Sequence, residues 1–398
     1  MNLFKKAYCR IFQLVFKIAL PILPYRDPII INNISSIPDT LNKEGINKVM
    51  IVTDKIINSL GLLDSLKTNL NDNNIPFVIF DDVVANPTSQ NVLDAKKVYL
   101  DNNCRGIIAF GGGSAMDCAK GLGALIARPK KTLKQLGGIL HVRKKIPTLI
   151  AIPTTAGTGS ETTLACVVVD SETRHKYAIN DFPLIPKYAV LDESVTMSLP
   201  DNVVSTTGMD ALTHAIESFI GKSGNKSTRQ DALDASKLIF ENLLVSYHDK
   251  TKESRKNMLI ASHKAGRSFS KAYVGYVHAI AHSLGGKYNI PHGLANAIIL
   301  PIVLKEYGKK IHKKLYKLGL YCNLFDKNTS ISDGAQIVIK KIEDMNKEMN
   351  IGNKIKGINK NDIQELAKYA LKEANPLYPV PVLWDYKKIV DVYLKIGE

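Results

Sequence analysis

The sequence predicts two domains: an N-terminal doubly wound, mostly parallel α/β domain at residues 29–199 and an all-helical domain at 200–398. From about residue 29, short runs rich in Val and Ile alternate with helical patterns, which is typical of a parallel sheet. After the stretch SLPD at 198–201, apolar residues recur at helical spacing and β-branched runs become rare. A chain of 398 residues is long enough for two hydrophobic cores. Residues 1–28 precede both domains as an amphipathic extension.

Six strands are predicted in the α/β domain. They lie at 48–54, 76–83, 106–113, within 148–161, at 165–170 and at 188–192. Between the second and third strands, Pro87 is followed by the polar residues Thr88 and Ser89 and then by apolar residues at helical spacing. This pattern predicts a capped helix.

The stretch 3–24 has a basic start and an apolar character, but Gln13, Lys17 and Pro21 interrupt it. It is too short and too interrupted for a spanning helix, and no small-residue cleavage site follows it. We expect an amphipathic helix packed on its own domain. The alternative, which we do not favour, is a helix that lies on a membrane or covers a partner surface.

The bulk composition bounds the partners and the compartment. The formal charge is +16, from 53 Lys and Arg against 37 Asp and Glu, but the lysines are dispersed and do not interleave with aromatic residues. We therefore expect no nucleic-acid partner. The five cysteines are odd in number and never form a CxxC pair, which indicates a reducing, cytoplasmic location.

Two loops of small residues follow predicted strands: GGGSAMDCAK at 111–120 and TTAGTGSE at 154–161. Glycines before a helix leave backbone N–H groups bare, and the helix dipole favours a phosphate there. Ser114 and Asp117 also match a capping box, which is the plain structural interpretation of both side chains. Asp54 ends the first clear strand, where a carboxylate either accepts from a ribose hydroxyl or caps a turn.

Metal-ligand residue types recur at helical spacing between Gly208 and Gly293. Asp210 and His214 are four residues apart, His278 and His282 repeat this spacing, and His292 follows on a Pro-His-Gly turn. Residues four apart share one helix face, so each pair can point at one ion. One carboxylate with several imidazoles suits Fe(II) or Zn(II). Glu217 is either a support for a metal ligand or, as we expect, part of a solvated helix face.

These motifs together resemble the iron-containing (type III) alcohol dehydrogenases from about residue 28 to the end. The matching stretches are NPT (86–88), GGGSAMDCAK, IPTTAGTGSE, GMDALTHAIE, VGYVHAIAHSLG and IPHGLANAIILP. The resemblance implies a dehydroquinate synthase-like architecture in which a dinucleotide-binding α/β domain and a helical metal-binding domain flank the active site. It also implies a homodimer.

The resemblance assigns a role to each candidate residue. The metal ligands would be Asp210, His214, His278 and His292. The cofactor-binding residues would be Asp54, Gly112, Gly113, Ser114, Asp117, Thr154, Thr155, Ser160 and Lys176. His282 would lie beside the nicotinamide, either as the catalytic proton relay or as a packing residue. Asp54 would favour NAD over NADP.

The predicted activity is hydride transfer between NAD(H) and a small primary alcohol or diol and its aldehyde, with iron, or alternatively zinc, as the Lewis acid. One alternative is a dehydroquinate synthase-like lyase acting on a phosphorylated acid. A pocket lined by Ala, Leu, Ile, Gly and Tyr disfavours that substrate. The other alternative is a non-catalytic, membrane-associated member of the family.

Overall fold

The computed structural model describes residues 1, 3–173 and 175–397, so Asn2, Arg174 and Glu398 lie outside the described residues. The chain divides into two compact units. Pro24–Ser198 forms one, called the α/β unit here; Met1–Leu23 and Leu199–Glu398 form the other, called the helical unit.

The secondary-structure elements are numbered in chain order. The strands are β1 (Ile29–Ile31), β2 (Val49–Val52), β3 (Phe77–Phe80), β4 (Gly106–Gly111), β5 (Gly138–Ile139), β6 (Thr148–Pro153), β7 (Ala165–Val169), β8 (Lys176–Asn180) and β9 (Tyr188–Val190). The helices of the α/β unit and the helix before it are α1 (Leu3–Ala19), α2 (Ile37–Lys43), α3 (Lys55–Ser59), α4 (Asp64–Asp72), α5 (Ser89–Asp101), α6 (Gly113–Ala127) and α7 (Leu133–Leu136). The remaining helices are α8 (Asp201–Ile220), α9 (Lys226–His248), α10 (Lys252–Ala272), α11 (Tyr276–Tyr288), α12 (His292–Tyr307), α13 (His312–Tyr321), α14 (Ile331–Glu348), α15 (Ile363–Ala374) and α16 (Tyr386–Ile396). One-turn 3₁₀ helices occur at Leu20–Ile22, Ile34–Ser36, Ser160–Thr162, Phe182–Leu184, Glu193–Thr196, Gly308–Lys310 and Lys360–Asp362.

The main sheet of the α/β unit has six parallel strands in the order β1-β9-β6-β4-β2-β3. Alternate residues of β2 enter two different cores: Val49 and Ile51 pack with α2 and α4, whereas Met50 and Val52 pack with α5 and α6. A strand buried on both faces needs apolar residues throughout, which is why these strands appear as continuous runs in the sequence. The predicted doubly wound parallel sheet is confirmed.

One predicted strand belongs to a different sheet, and three strands were not predicted. The strand predicted at 165–170 is β7, which pairs antiparallel with β8 in a small sheet of order β5-β8-β7. Strands β1 and β5 have three and two residues, too few to show a period. Strand β8 (KYAIN) mixes polar and apolar residues on a half-buried surface.

The helical unit is built around α8, whose side chains from Gly208 to Ile220 are all buried. Between residues 199 and 397 the structure contains no strand, as the loss of β-branched runs predicted. Helix α1 belongs to this unit and buries Cys9 and Gln13 in it. Among the described residues, no helix has the length and apolar run that crossing a membrane requires.

Candidate active site

Two metal-ligand candidates lie one turn apart on α8. Asp210 and His214 are both buried, and His214 Nδ1 lies 4.0 Å from Asp210 Oδ2. The His214 ring stacks on Phe269 of α10, with ring centroids 4.0 Å apart. The predicted i,i+4 geometry therefore holds, and the ring of Phe269 stacks on the one imidazole of this pair.

The third candidate, His278, lies in the first turn of α11 and is oriented by Glu217 of α8. The Glu217 carboxylate accepts the Gly275 and Val277 N–H groups, each at 2.8 Å, and lies 2.7 Å from His278 Nδ1. It thus satisfies N–H groups that a helix start leaves unpaired, and it directs Nε2 of His278 towards Asp210. A Cβ atom on Gly275 would lie 2.6 Å from Glu217 Oε1, so a larger residue there would displace the Glu217 carboxylate.

The expectation that Glu217 belongs to a solvated helix face is wrong, because the side chain is buried. Burial raises the pKa of Glu217 to about 7, although the Gly275, Val277 and His278 hydrogen bonds act in the opposite direction. The pKa of His278 lies well below its usual value. Burial is the largest cause, and repulsion from His214, His292 and His282 adds to it. A neutral imidazole keeps the lone pair that a metal ligand needs.

His292 begins α12 and completes the cluster from a third helix. Its Nε2 atom lies 3.5 Å from Asp210 Oδ1, and His278 Nε2 lies 3.8 Å from the same oxygen. One turn further along α12, the buried amide Nδ2 of Asn296 contacts Asp210 Oδ1 at 2.7 Å and His292 Nε2 at 3.0 Å. Candidate metal-ligand atoms from α8, α11 and α12 thus converge on one point. The Asn296 amide group lies beside that point.

The donor set fits a divalent transition metal. Ligand atoms of Asp210, His214 and His278 all lie within 4.8 Å of one another in a buried setting. One hard oxygen and several imidazole nitrogens suit Fe(II) or Zn(II) better than Mg(II) or Ca(II). Buried carboxylate and imidazole groups packed this closely are stabilised by a shared cation.

His282 lies one turn beyond His278 and has a carboxylate partner of its own. Its Nδ1 atom lies 2.6 Å from Glu373 Oε1 of α15, and the Tyr378 hydroxyl donates to the same oxygen at 2.6 Å. Burial acts to raise the pKa of Glu373, but His282 and the Tyr378 hydrogen bond outweigh it and keep that pKa below its usual value. The His282 ring stacks on His292 with centroids 5.0 Å apart, which places it beside the cluster.

In the α/β unit, three predicted cofactor segments follow adjacent parallel strands. Asp54 follows β2, Gly112 follows β4, and Thr154 follows β6, and these strands are neighbours in the order β6-β4-β2. The carboxyl ends of parallel strands share one edge of the sheet, which is where open α/β sheets bind nucleotides. The Thr154 N–H donates to Gly111 O at 3.2 Å and ties two of the segments together.

The glycines at this edge fit a phosphate group. Gly111 has φ +154°, and a Cβ on it would lie 2.8 Å from Ala115, so the turn itself requires glycine. At Gly112 and Gly113, by contrast, a Cβ would make only ordinary contacts of 3.4 Å or more with Thr155 and Thr158. The protein's own packing therefore does not explain these two glycines. A pyrophosphate approaching the N-terminus of α6 does explain them.

The predicted Ser114–Asp117 capping box is wrong. Helix α6 begins at Gly113 with Gly112 as its N-cap, and no side chain caps it. The Ser114 hydroxyl instead accepts the Asn86 N–H at 3.3 Å, and Lys176 Nζ donates to Asn86 Oδ1 at 2.8 Å. The NPT loop thus brings together Ser114 and Lys176, two of the predicted cofactor residues.

The loop after β6 is held by a buried lysine. Lys120 Nζ donates to Ser160 O at 2.7 Å, to Thr163 Oγ1 at 2.8 Å and to Ala165 O at 2.9 Å. Burial lowers the pKa of Lys120, and Asp117 opposes this effect. Burial likewise raises the pKa of Asp117 to about 7, against the attraction of Lys120. The Ser160 hydroxyl also lies 3.1 Å from Lys120 Nζ, so this side chain is part of the loop's support.

Asp54 has a visible structural role. It is the N-cap of α3, and its Oδ1 atom accepts the Ile57 N–H at 2.9 Å. The cap interpretation of this residue is therefore correct. A ribose contact remains a proposal, because one carboxylate can cap a helix and still accept at its second oxygen.

Four supporting residues were missed from the sequence or underrated there: Lys120, Glu217, Asn296 and Glu373. A signal existed for two of them, because Glu217 is seven residues after Asp210 and Asn296 is four after His292. Both spacings return to the ligand-bearing helix face. Glu373 lies 91 residues from His282 and carried no local signal.

The two candidate sites indicate a class, an enzyme that uses a nucleotide cofactor and a transition metal. Comparison with known proteins places the chain within it. Residues 29–193 match the iron-containing alcohol dehydrogenase model, and residues 204–397 match the C-terminal domain model of the Fe-containing alcohol dehydrogenase family. The chain therefore belongs to the iron-containing alcohol dehydrogenase family.

Individual relatives agree with this assignment. The chain is 34% identical over 368 residues to 1,3-propanediol dehydrogenase of Citrobacter freundii, covering 91% of this chain and 94% of that protein. It is 35% identical over 363 residues to alcohol dehydrogenase 4 of Saccharomyces cerevisiae, covering 90% of this chain and 94% of the yeast protein. The crystal structure of a 1,3-propanediol oxidoreductase superposes with a TM-score of 0.89 at 32% identity, covering 94% of this chain and 99% of that one.

Family membership confirms the predicted resemblance, the predicted fold class and the predicted reaction class. The protein is an alcohol dehydrogenase acting on CH–OH donors, from the family whose members are described as iron-containing. The lyase alternative is not favoured, because these relatives are alcohol and diol dehydrogenases.

Proposed function

We propose that the protein interconverts a short primary alcohol or diol and its aldehyde, with Asp210, His214, His278 and His292 as the metal ligands. The single observation that carries this proposal is the convergence of these side chains from three helices on one buried point. These four residues would hold the metal, which would supply Lewis-acid polarisation of the substrate oxygen, and NAD would be the hydride acceptor.

The chain's own residues supply position and proton transfer. Glu217 holds the His278 ring so that Nε2 faces the cluster. Glu373 accepts the Nδ1 proton of His282, which leaves the Nε2 lone pair of His282 to accept the alcohol proton. Tyr378 fixes the Glu373 carboxylate by a second hydrogen bond. His282 is therefore our proposed proton relay.

We propose residues 29–199 as the NAD-binding domain and residues 200–398 as the metal-binding and catalytic domain. Gly112 and Gly113 would hold the pyrophosphate on their N–H groups. Ser114, Asp117, Thr154, Thr155, Ser160 and Lys176 would surround the cofactor. Asp54 would accept from the ribose and repel a 2′-phosphate, which favours NAD over NADP.

We also propose a homodimer in the cytoplasm. Five free cysteines, all buried, support a reducing compartment. Light scattering on the purified protein tests the dimer, and cell fractionation tests the location.

The experiment that tests the proposed function is NAD-dependent oxidation of short alcohols and diols. We would compare protein loaded anaerobically with Fe(II), loaded with Zn(II) and stripped of metal. We expect turnover that requires metal and falls at least about a thousandfold in His278→Ala, because a lost ligand removes most of the Lewis-acid stabilisation. Stoichiometric metal and NAD binding without turnover of any alcohol or aldehyde would contradict the proposal. In that case, turnover of a phosphorylated sugar acid would establish the lyase.

A further inference from the structure

Helix α1 packs against the helical unit through a side that mixes apolar and polar residues, with the Phe16 ring edge-on to Tyr273 at 5.1 Å between centroids. Arg10 Nη1 donates to Val380 O at 2.8 Å, and Gln13 Nε2 donates to Tyr378 O at 2.8 Å and to Pro376 O at 3.0 Å. Cys9 is only 1% exposed on the same side. These hydrogen bonds to carbonyl groups fix how the helix is rotated about its axis, because a turned helix would leave the Arg10 and Gln13 donors unpaired.

This rotation leaves the apolar side of α1 in solvent. Six large side chains, called the apolar face here, are each more than half exposed: Leu3, Phe4, Ile11, Leu14, Val15 and Ile18. At about 100° per residue they share an arc of about 120°. An isolated exposed Leu or Ile is ordinary, but a contiguous apolar face marks a surface that something else covers.

The charge around the apolar face has one sign. Lys6 and Lys17 lie along one edge of it and Lys5 towards the other, and all three are exposed. Residues 1–26 contain no Asp or Glu. The pKa of Lys314 is lowered to about 8. Burial is the largest cause, and repulsion from Arg229, Lys222 and Lys17 adds to it. The surface beside the helix is therefore cationic as well.

A shallow depression of about 430 Å³ lies next to the helix and is also lined by apolar and cationic side chains. Its apolar part includes Leu3 and Leu383, and its cationic part includes Lys6, Lys222 and Lys310. An apolar surface bordered by ammonium groups suits an amphiphile with an anionic head and an acyl chain.

We propose that α1 docks the protein on the surface of an anionic phospholipid bilayer, with the apolar face buried among the acyl chains and Lys5, Lys6 and Lys17 at the headgroups. A helix of 17 residues is about 25 Å long, too short to cross the hydrocarbon core but long enough to lie in the interface. Charge favours this occupant over a second copy of the chain, because two such faces would bring lysines against lysines.

The experiment is flotation of the full-length protein with vesicles of equimolar phosphatidylcholine and phosphatidylglycerol, compared with phosphatidylcholine alone. We expect at least about tenfold tighter binding to the anionic vesicles, weakening as salt is raised. Replacing exposed lysines, as in Lys5→Gln/Lys17→Gln, should weaken binding about fivefold per lysine, since each contributes about 1 kcal/mol near such a surface.

Two matched double variants separate the apolar face from general surface effects. Ile11→Asp/Ile18→Asp places two charges seven residues apart on the apolar face, and Leu93→Asp/Leu100→Asp does the same on the exposed side of α5. We expect the first to lose vesicle binding at least tenfold and the second to retain it, with circular dichroism and dehydrogenase activity unchanged in both. The proposal is overturned if the full chain ignores anionic vesicles or if both variants bind alike. It is also overturned if Ile11→Asp/Ile18→Asp abolishes self-association in sedimentation but leaves vesicle binding unchanged. In that case a second copy of the chain covers the apolar face.

Discussion

The two units form their candidate sites in opposite ways. The helical unit uses buried side chains: Asp210, His214 and His278 point inward from packed helices, and Glu217 supports one of them. The α/β unit uses backbone groups at the carboxyl edge of a sheet. Gly112 and Gly113 have no side chain there, so their N–H groups are accessible to a ligand. We therefore expect the site in the helical unit to be sensitive to substitutions that remove side-chain atoms. The site in the α/β unit should be sensitive to substitutions that add them.

The difference follows from the ligand each site would hold. A transition metal needs lone pairs at fixed distances, which only side chains oriented by neighbours provide. A pyrophosphate needs several N–H donors within reach, which a bare helix N-terminus already provides. Three substitutions, ordered by expected effect, sharpen this contrast or break it.

The largest effect is expected from removing the Glu217 carboxylate. Glu217→Ala leaves the Gly275 and Val277 N–H groups and His278 Nδ1 without their acceptor in a buried site. We expect a loss of about 3–5 kcal/mol in the free energy of unfolding, because several buried donors lose their partner. Urea unfolding of the metal-free protein measures it.

Glu217→Gln is the matched variant that keeps the size of the side chain. It should fold, yet bind metal about 10–100 times more weakly, because an amide orients the His278 ring less well than a carboxylate. Chelator competition gives the metal affinity. Unchanged metal affinity in Glu217→Gln would mean that Glu217 serves only the start of α11.

The second effect is expected from adding one methyl group to the α/β unit. Gly113→Ala should weaken NAD binding at least about tenfold, equal to 1.4 kcal/mol, because the Cβ fills the space that a phosphate would approach. Stability should stay equal or rise slightly, since alanine is the better helix former and its Cβ meets Thr158 at an ordinary 3.4 Å. Titration calorimetry with NAD and thermal unfolding measure the two quantities.

Gly121→Ala on the same helix is the control. Its Cβ would lie 3.1 Å from Val92 in the core, so it should lower stability and leave NAD affinity unchanged. If the two variants behaved alike, Gly112 and Gly113 would be packing residues and the phosphate proposal would fail.

The same contrast explains what the sequence could predict. The candidate metal cluster was predictable because Asp210 and His214, and likewise His278 and His282, are four residues apart, and a spacing of that length is visible within one helix of the sequence. The glycine-rich turn at the edge of the sheet was predictable because glycines follow a strand in the sequence. Strands with a local signal, such as β2 and β4, were therefore predicted close to their observed bounds.

Features that depend on distant partners were not predictable. The orientation of α1 depends on carbonyl groups more than 360 residues away in the chain, so its hydrophobic pattern alone does not show which side is buried. The capping box at Ser114 failed because the helix begins two residues earlier than the motif implied, with Gly112 and not Ser114 as its N-cap. Glu373 and Lys120 act through contacts 91 and 40 residues away, and no spacing rule reaches that far.

The smallest effect is expected from replacing Glu44, a partly buried carboxylate in the α/β unit. This substitution tests whether the charge stabilises only the fold. The Glu44 carboxylate, which follows α2, accepts from Lys187 Nζ at 2.5 and 2.6 Å and from the Tyr188 hydroxyl at 2.8 Å. The Lys187 hydrogen bond is the main reason that the pKa of Glu44 lies below its usual 4.5. Glu44→Gln should lower the free energy of unfolding at pH 7 by about 1–2 kcal/mol, without changing the NAD affinity or the turnover.

The sign of the pH dependence follows from that lowered pKa. A carboxylate whose pKa is lower in the folded chain stabilises the protein above the unfolded value near 4.5, and this contribution is lost as the pH falls through the folded value. The difference between wild type and Glu44→Gln should therefore be full at pH 7 and shrink below about 4.5 in urea unfolding. Asp101→Asn, at the exposed end of α5, is the control and should show no such difference. A change in NAD affinity in Glu44→Gln would show that the α/β unit, like the helical unit, depends on a supported side chain for its ligand.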